Sequence, residues 1–425
     1  MIYFQSLTQS ELAELLLPLS RVRRPGDLTD EMIDDKCRRQ ARYRAKQLFH
    51  WVYQKHETDW DQMSDLSKDL REWLKTNVEI CRLKEHTKQD SLDGTLKFLW
   101  NLGDSKTIES VIIPAALQEK DEVDSNQDET DAATSSITPS LYAGKRVEGG
   151  LQGAQWSRLT ACISSQVGCA MACKFCLTGI QGLDRHLQTH EIVTQVHELR
   201  RIAPITNIVF MGMGEPLHNL DNVAKACQIL LDQDGMSFSK RKITVSTSGL
   251  VPAIVELGKR VDVSLAISLN ATTDEQRSHI MPVNKKWPIA ELLKACREYP
   301  LGAHRRITFE YVMLKDFNDT LEDAARLVRL MRGIPSKINL IPFNEHSGAE
   351  FKRPTDDTVR KFQRYLLDRE LTATVRISRG RDILAACGQL RSVFGTARGT
   401  ERHRDWAPAP AASTTGSVTS LNLLN

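Results

Sequence analysis

Three cysteines within eight positions are the residues of this chain best suited to chemistry. Cys169, Cys173 and Cys176 have the spacing CxxxCxxC and come directly after a predicted β-strand. A structural zinc site needs four protein ligands, whereas three cysteines can hold an iron-sulfur cubane and leave one iron open to another ligand. The spacing therefore favours an iron-sulfur cluster, with a zinc site completed by His186 or His190 as the alternative.

Two further cysteines lie outside this loop. Cys162 precedes it by seven positions and Cys387 lies beyond the last predicted strand. A free cysteine is usually a small buried hydrophobic residue, and this interpretation is open for both. The chain has nine cysteines, an odd number, which fits a reducing compartment with a metal or redox site better than a disulfide framework. The other four match no motif and are predicted to be core or surface residues: Cys37, Cys81, Cys227 and Cys296.

Several predicted strands end in residues that can contact a small ligand. They are Gly212, Gly214, Glu215 and Pro216 after one strand, and Ser246, Ser268, Leu269, Asn270 and Asn344 after others. Glycine lets a backbone approach a ligand closely, and a carboxylate can bind an amino group. Each position taken alone is also consistent with an ordinary turn or strand cap.

The elements that must position these residues alternate regularly. Short β-branched runs occupy residues 161–165, 206–211, 242–246, 261–268, 307–313, 337–341 and 372–377. Helical stretches such as 190–202 and 220–231 follow the first five runs. This pattern predicts an α/β fold in which βα units form a partial or complete barrel over about residues 158–391. Chemistry in such a fold gathers at the carboxyl ends of the strands.

Residues 1–95 are predicted to form a basic helical module. Six basic residues fall within eleven positions: Lys36, Arg38, Arg39, Arg42, Arg44 and Lys46. They indicate either a surface for a polyanion or an ordinary solvated helix face. Residues 96–114 are predicted to hold two short strands separated by Gly103 and Asp104, and Glu109 lies in the second strand.

Two segments have the composition of disordered chain. Between positions 118 and 131, seven acidic residues stand against one lysine, so residues 115–157 are predicted to be a flexible insertion without a chemical role. Residues 392–425 are rich in Pro, Ala, Ser and Thr and are predicted to be a disordered tail.

The composition is that of a soluble globular protein of two or three folding units. The 425 residues include 57 Lys+Arg and 54 Asp+Glu, for a charge of +3, and 41% are hydrophobic. No run of 18 apolar residues occurs, and the first 17 residues contain Gln and Glu where a signal peptide needs an apolar stretch. We therefore expect no membrane segment and a cytoplasmic location.

Taken together, the motifs resemble a known family. CxxxCxxC with Phe175 before the last cysteine is similar to the radical S-adenosylmethionine (SAM) superfamily. Six motifs in order narrow the resemblance to the RlmN/Cfr family of RNA adenine methyltransferases: CISSQVGCAMACKFC, MGMGEPLHN, VSTSGLVP, LAISLNA, INLIPFN and RISRGRDILAACGQL. The resemblance covers about residues 158–390 and the basic module. It implies a radical SAM partial (βα)6 barrel with a small N-terminal helical RNA-binding module.

The resemblance also implies cofactors, partners and ligand-binding residues. Cys169, Cys173 and Cys176 are expected to hold a [4Fe-4S] cluster. SAM is expected to contact Gly214, Glu215, Ser246, Ser268, Leu269, Asn270 and Asn344. The implied partners are 23S rRNA, tRNA and a flavodoxin-like protein that supplies single electrons, with the enzyme acting as a monomer.

The implied reaction gives three further residues a role. The residue matching Cys387 is methylated by one SAM, and a radical derived from a second SAM takes hydrogen from that methyl group. The resulting carbon radical adds to carbon 2 of adenine and joins the protein to RNA. Glu109 then removes a proton and the Cys162 thiol displaces Cys387, which implies a disulfide bond in the cycle.

Two alternatives stay open beside this interpretation. Within the family, the Cfr type methylates carbon 8 instead of carbon 2, and no pocket residue in the sequence decides between them. Outside it, a protein carrying a cluster could bind RNA or sense redox state without turnover. The presence of Glu109, Cys162 and Cys387 together argues against the second alternative, because sensing needs neither a base nor paired thiols.

Overall fold

The computed structural model describes residues 1–21, 29–116, 156–346 and 349–390 of the chain. Most of the predicted acidic insertion and the whole predicted tail therefore lie outside the described residues. Among the described residues, no helix is both long enough and apolar enough to cross a membrane.

The N-terminal region is mainly helical. Its elements are β1 (Ile2–Tyr3), α1 (Gln9–Leu16), α2 (Asp30–Phe49), α3 (Lys68–Asn77) and β2 (Val78–Glu79). Thr8 and Glu11 form a capping box that starts α1, and β1 pairs in parallel with β2. Phe4, Phe49 and Tyr53 pack against one another in its core with their rings tilted or edge-on. This parallel pair joins the first element of the module to its last.

Three antiparallel strands follow the module: β3 (Lys84–Asp90), β4 (Leu96–Asn101) and β5 (Thr107–Ala116). The predicted turn at Gly103 and Asp104 joins β4 to β5, which places Leu99 opposite Glu109. Strand β3 falls within the range predicted to be helical, yet it pairs with β4 in the main sheet. The helical part of the N-terminal region therefore ends before β3.

The remaining elements alternate between strands and helices. In chain order they are β6 (Trp156–Cys162), β7 (Gln166–Gly168), α4 (Leu177–Gln181), β8 (Leu183–His186), α5 (Thr189–Ile202), β9 (Asn207–Phe210), α6 (Leu220–Leu231), β10 (Ile243–Thr247), α7 (Val251–Arg260), β11 (Ser264–Ser268), α8 (Asp274–Ile280), α9 (Ile289–Glu298), β12 (Ile307–Met313), α10 (Leu321–Leu330), β13 (Ser336–Pro342), α11 (Asp356–Leu367) and β14 (Ala373–Val375).

One sheet of ten strands organises the described residues, in the order β14-β13-β12-β11-β10-β9-β6-β5-β4-β3. The seven strands from β14 to β6 are parallel, and β5, β4 and β3 continue the sheet antiparallel. Helices connect the successive parallel strands, as the predicted (βα)6 partial barrel requires. The carboxyl ends of the parallel strands therefore meet at one edge, where the predicted ligand residues lie.

The first barrel strand differs from its predicted range of 161–165, because the regular ladder ends at Cys162. The next residues leave this ladder and bond to β9 and to the segment after it. The Ile163 amide donates to the Val209 carbonyl at 3.0 Å, and the Ser165 amide donates to the Met213 carbonyl at 2.8 Å. The chain leaves the sheet here and enters β7 and the cysteine loop.

The helical module packs against α5 and α6. Lys46 Nζ lies 2.8 Å from Asp234 Oδ1, after α6, and Lys225 Nζ on α6 lies 2.7 Å from Glu11 Oε1. Arg82 Nη2 donates to Glu198 Oε2 on α5 at 3.1 Å. These contacts place the module on the helical layer, away from the carboxyl edge of the sheet.

Candidate active site

The cysteine loop is anchored at both ends. Gly168 has φ +77°, and a Cβ there would lie 1.8 Å from the Gly182 carbonyl oxygen, so only glycine fits. The same oxygen accepts from the Cys169 amide at 2.9 Å. Farther along, the Lys174 amide donates to the Ile280 carbonyl of α8 at 3.0 Å. The loop is therefore held between β8 and the end of α8.

The three thiols of this loop face one another. Burial raises the pKa of Cys169 and of Cys173, and the neighbouring thiolates of the loop raise both further. A bound metal would reverse this shift, because it deprotonates a coordinating thiol. In a cubane each cysteine binds a different iron, so three thiols that share one space without meeting at one point fit the donor set of a [4Fe-4S] cluster.

The histidines of the zinc alternative have other partners. His186 Nδ1 lies 2.9 Å from Gln166 Nε2, and the His186 ring packs edge-on against His218. The His190 ring stacks on Tyr3 at 3.9 Å between ring centroids. In the described part of the chain, no three His, Cys, Asp or Glu side chains are placed to hold a single metal ion. The structure therefore gives no support to a zinc site.

Glu215 joins the ends of two neighbouring strands. Its side chain is buried and accepts from the Leu217 amide at 3.0 Å and from the Ser248 amide, just after β10, at 2.7 Å. Burial raises the pKa of this carboxyl, and these hydrogen bonds oppose the shift. Glu215 also raises the pKa of Cys169 and Cys173 by its charge, which places it beside the cysteine loop.

The glycines before Glu215 are needed for packing inside the protein. A Cβ on Gly212 would lie 2.6 Å from the Ile163 carbonyl oxygen. A Cβ on Gly214, which has φ +100°, would lie 2.5 Å from the Cβ of Gln166. Both glycines therefore allow the loop after β9 to pass close to the segment after β6, a contact that the sequence did not reveal.

Glu310 is a buried carboxylate that the sequence analysis missed. It lies on β12, where it accepts from Ser246 Oγ at 3.3 Å and from Asn339 Nδ2 at 3.5 Å. Burial raises its pKa, and the charge of Arg376 opposes that shift. The available signal was a single acidic residue inside the otherwise apolar run ITFEYVM. Its contacts place the predicted SAM residue Ser246 toward the middle of the barrel.

The other predicted SAM residues lie at the same edge. Asn270, with φ +58°, accepts at Oδ1 from the Val312 amide at 2.8 Å, so its side chain holds the end of β11 against β12. Leu269 is fully buried, and Ser268 closes β11 beside it. Asn344 Nδ2 donates to the Cys387 carbonyl at 3.3 Å. These residues thus connect the strand ends to the segment that carries Cys387.

Cys387 lies between the cysteine loop and the barrel. Its segment is fixed by the Leu177 amide, which donates to the Gly388 carbonyl at 2.8 Å, and it lines an open pocket with Ile113, Asn344 and Arg376. Burial raises the pKa of Cys387, the Arg376 guanidinium opposes the shift, and Cys176 adds to it. The thiol is therefore close enough to both Arg376 and Cys176 to interact with their charges.

Cys162 is the last residue of β6 and lies in the same region as Cys387. It lies opposite Val111 of β5, and only 3% of its surface is exposed. Burial raises its pKa, and the Cys387 thiolate is the largest charge that raises it further. The structure therefore brings together the two special cysteines, which are far apart in the sequence.

Glu109 faces the same side of the sheet as Cys162. Its neighbour Ser110 donates to Gln195 of α5 at 2.8 Å and so faces the helical layer, whereas Glu109 and Val111 face the other way. Lys97 Nζ on β4 lies 3.3 Å from Glu109 Oε1. Glu109 lines a second pocket, together with Thr87, Gln89, Lys97, Leu99, Leu384 and Gln389. The segment around Cys387 borders both pockets.

The basic helix α2 does not present one free positive patch. Arg38 Nε lies 2.8 Å from Asp34 Oδ2, Arg39 pairs with Asp35, and Lys46 pairs with Asp234. A different exposed surface lies beside the Cys387 pocket. Ile377, which lines the pocket, is 68% exposed, and Arg381, four residues farther along the chain, is also exposed.

Comparisons with known proteins agree with this architecture. A model of the radical SAM superfamily matches residues 163–328, and a model of the ribosomal RNA large subunit methyltransferase N-terminal domain matches residues 37–80. A crystal structure of a radical SAM methyltransferase from Sphaerobacter thermophilus covers 92% of this chain and 99% of its own, with 38% identity and a TM-score of 0.72.

Two curated relatives are each named dual-specificity RNA methyltransferase RlmN. The protein from Geobacter sulfurreducens is 52% identical over 350 residues, which are 82% of this chain and 86% of that protein. The protein from Geotalea uraniireducens is 50% identical over 350 residues, which are 82% of this chain and 90% of that protein. The fold, the cysteine loop and these identities together show that the chain belongs to the RlmN family of RNA methyltransferases in the radical SAM superfamily.

Proposed function

We propose that this enzyme methylates carbon 2 of an adenosine in 23S rRNA and of an adenosine beside the anticodon in tRNA. The observation that carries the proposal is the bond from the Leu177 amide to the Gly388 carbonyl, which fixes the Cys387 segment to the cysteine loop. Cys162 lies within range of the charge of Cys387, which raises its pKa. The names of the relatives support action on two kinds of RNA. The reaction belongs in the cytoplasm, and the enzyme works as a monomer that receives electrons from a flavodoxin-like protein.

The cofactor residues are those at the carboxyl edge of the barrel. Cys169, Cys173 and Cys176 hold a [4Fe-4S] cluster, which when bound supplies the electron that cleaves SAM. SAM lies against the strand ends, in contact with Gly214, Glu215, Ser246, Ser268, Leu269, Asn270 and Asn344. The carboxylate of Glu215 suits the amino group of SAM, because it is a buried anion whose charge acts on the cysteine loop.

Cys387 carries the methyl group. Its thiolate accepts the group from one SAM, which leaves as S-adenosylhomocysteine. A carbon radical derived from a second SAM takes a hydrogen atom from the methyl group, and the remaining methylene radical adds to carbon 2 of adenine. A carbon-centred route is needed, because that carbon is electron-poor and is not a nucleophile toward a methyl sulfonium. The protein and the RNA are then one covalent molecule.

Glu109 and Cys162 release the product. Glu109 takes the proton from carbon 2, and the adduct gives up its unpaired electron, for which the oxidised cluster would be the acceptor. The Cys162 thiolate then attacks the sulfur of Cys387. The bond between that sulfur and the methylene carbon breaks, its electrons pass to the methylene carbon, and that carbon takes up a proton to become the methyl group. A disulfide between Cys162 and Cys387 remains, and a thiol reductant must open it before the next turnover.

RNA enters beside the segment that carries Cys387. The exposed side chains of Ile377 and Leu384 offer apolar contacts for bases, and Arg381 offers a positive charge for a phosphate. The target base must leave its stack to reach the Cys387 pocket, as it does in other enzymes that modify bases.

Mass spectrometry of nucleosides from a deletion strain tests this function. Loss of 2-methyladenosine from both 23S rRNA and tRNA, with restoration by the intact gene, is the expected result. Loss of 8-methyladenosine instead would assign the enzyme to the Cfr type. Unchanged nucleosides in both RNA classes would contradict the proposal.

A further inference from the structure

Arg277 on α8 is a fully buried charged side chain near the cysteine loop. Its guanidinium makes four hydrogen bonds. Nε donates to the Leu269 carbonyl at 3.0 Å, Nη1 donates to Asn284 Oδ1 at 3.0 Å, and Nη2 donates to the carbonyls of Ser248 and Ser268 at 2.6 and 3.1 Å. One guanidinium therefore holds the ends of β10 and β11 together.

All four acceptors are neutral. None of the described ion pairs includes Arg277. Its acceptor Asn284 in turn donates to the carboxylate of Asp274, which is exposed. Glu215, the buried acid nearby, takes its bonds from backbone amides and shares only the Ser248 residue with Arg277. A buried charge without a counter-charge is costly. The described chain thus leaves this positive charge without a carboxylate in contact.

The position of Arg277 indicates which group its charge can stabilise. Ile280, one helical turn farther along α8, accepts from the Lys174 amide inside the cysteine loop at 3.0 Å. Burial lowers the pKa of Arg277 to about 10, and the Cys173 thiolate opposes this shift more than any other group. Helix α8 therefore connects the cysteine loop, which it contacts at Ile280, with the strand ends assigned to SAM, which Arg277 bonds.

We propose that Arg277 is the fixed counter-charge of the cluster and also positions the SAM-binding strand ends. The inference rests on the proposed function, in which Cys169, Cys173 and Cys176 hold the cluster. A cubane bound by three thiolates has a net negative charge that grows on reduction, so a fixed positive charge stabilises the reduced form more than the oxidised form. Arg277 is a positioning residue and touches no reacting atom.

The test is a redox titration of the reconstituted holoprotein, followed by electron paramagnetic resonance. Arg277→Gln removes the charge, and Arg277→Lys keeps it while losing the planar fork. At a fixed potential, the ratio of reduced to oxidised cluster is expected to be at least tenfold lower in Arg277→Gln than in the wild type. A tenfold change corresponds to a 59 mV shift of the midpoint potential for a one-electron couple. The lysine variant should stay within about threefold of the wild type.

A matched control is Arg305→Gln, because Arg305 is a half-buried arginine that pairs with Asp262 and contacts Ser264 at the amino end of β11, opposite the end that Arg277 bonds. This control should leave the potential unchanged. An unchanged potential in Arg277→Gln with a full cluster would overturn the proposal. Cluster potential is read without RNA, so failure of methylation alone does not affect this test, and a wild-type protein that binds no cluster would contradict the proposed function instead.

If Arg277→Gln takes up no cluster, a second measurement replaces the titration. It compares the midpoints of thermal unfolding of the Arg277→Gln and Arg277→Lys apoproteins. Equal midpoints, with cluster uptake by the lysine variant alone, support a role for the charge. Loss of folding in both variants overturns it, because lysine retains the charge but not the four hydrogen bonds.

Discussion

The Leu177 amide donates to the Gly388 carbonyl at 2.8 Å, which joins the residue after Cys176 to the residue after Cys387. A second bond, from Thr178 Oγ1 to the Leu390 carbonyl at 2.6 Å, runs beside it. The proposed methyl carrier is therefore fixed to the loop that holds the proposed cluster. Under the proposed function, these two bonds would hold the methyl-carrying cysteine beside the residues that would bind the cluster.

Cys173→Ala is expected to abolish the cluster. Anaerobic reconstitution should give one [4Fe-4S] cluster in the wild type and neither cluster absorbance nor SAM cleavage in the variant, because two thiolates do not hold a cubane firmly. Cys37→Ala is the matched control, since Cys37 is half-buried on α2 and its sulfur donates to the Ser20 carbonyl. A Cys173→Ala protein that binds a full cluster and cleaves SAM would show that the loop has another role.

Lys97→Met is expected to slow release of RNA from the covalent adduct. The ammonium group of Lys97 lies 3.3 Å from Glu109 and orients the proposed base, so its loss should reduce the rate of adduct resolution about tenfold or more. RNA affinity should change little. Lys88→Met is the control, because Lys88 is exposed on β3 and pairs with Asp90. Normal resolution in Lys97→Met, measured by single-turnover decay of the adduct, would remove Lys97 from the mechanism.

Much of the fold could be predicted from the sequence because its signals are local. Runs of β-branched residues mark the parallel strands, and the spacing of Cys169, Cys173 and Cys176 marks the loop after the first of them. The strand at 307–313 has the predicted bounds. Strand β3 was missed because its seven residues, KEHTKQD, are all exposed and lack an apolar alternation.

The parts of the site that the sequence analysis did not predict depend on contacts between segments that are far apart in the chain. The pairing of Lys97 with Glu109 follows from the register of β4 against β5, in which Leu99 lies opposite Glu109. Arg277 resembles any charged residue of a helix until four acceptors from other segments surround it. The role of Gly214 was also hidden, because the group that fills the space of its Cβ is Gln166, far earlier in the chain.

Arg381→Glu is expected to weaken RNA binding and to reduce the salt dependence. Arg381 is exposed, four residues after the pocket-lining Ile377, and loss of one phosphate contact lowers the slope of log affinity against log salt by about one unit. Arg38 and Arg39, which the sequence suggested as RNA contacts, each pair with an acid four positions earlier on α2. Charge reversal at Arg38, Arg39 and Arg42 is therefore expected to have the smaller effect in a titration of affinity against salt. A larger effect of the charge reversal on α2 than of Arg381→Glu would indicate instead that α2 is the main RNA-binding surface.

His197→Leu is expected to make the protein more stable in acid. Burial lowers the pKa of His197 to about 3, and the charge of His56 adds to the shift. Below its ordinary pKa of 6.5 the unfolded histidine binds a proton that the folded one does not, so the wild type loses stability as the pH falls from 6.5 toward 3. This histidine contributes a slope of about 1.4 kcal/mol per pH unit in that window.

The substitution itself leaves no described group without a partner, because neither ring nitrogen of His197 has a hydrogen-bond partner among the described residues. Urea unfolding at pH 8 and pH 5 measures the difference. His304→Gln, at an exposed position, is the control. An equal loss of stability in the wild type and in His197→Leu between these pH values would show that other groups account for acid unfolding.

The most direct test of the covalent mechanism is the adduct of Cys162→Ala. Without the Cys162 thiol, radical addition to adenine proceeds but release does not, so this variant should accumulate a protein-RNA crosslink that survives denaturation. Mass spectrometry should map the crosslink to Cys387, and the Cys162→Ala/Cys387→Ala double variant should form none. Normal turnover by Cys162→Ala, or a crosslink at any other residue, would contradict the mechanism.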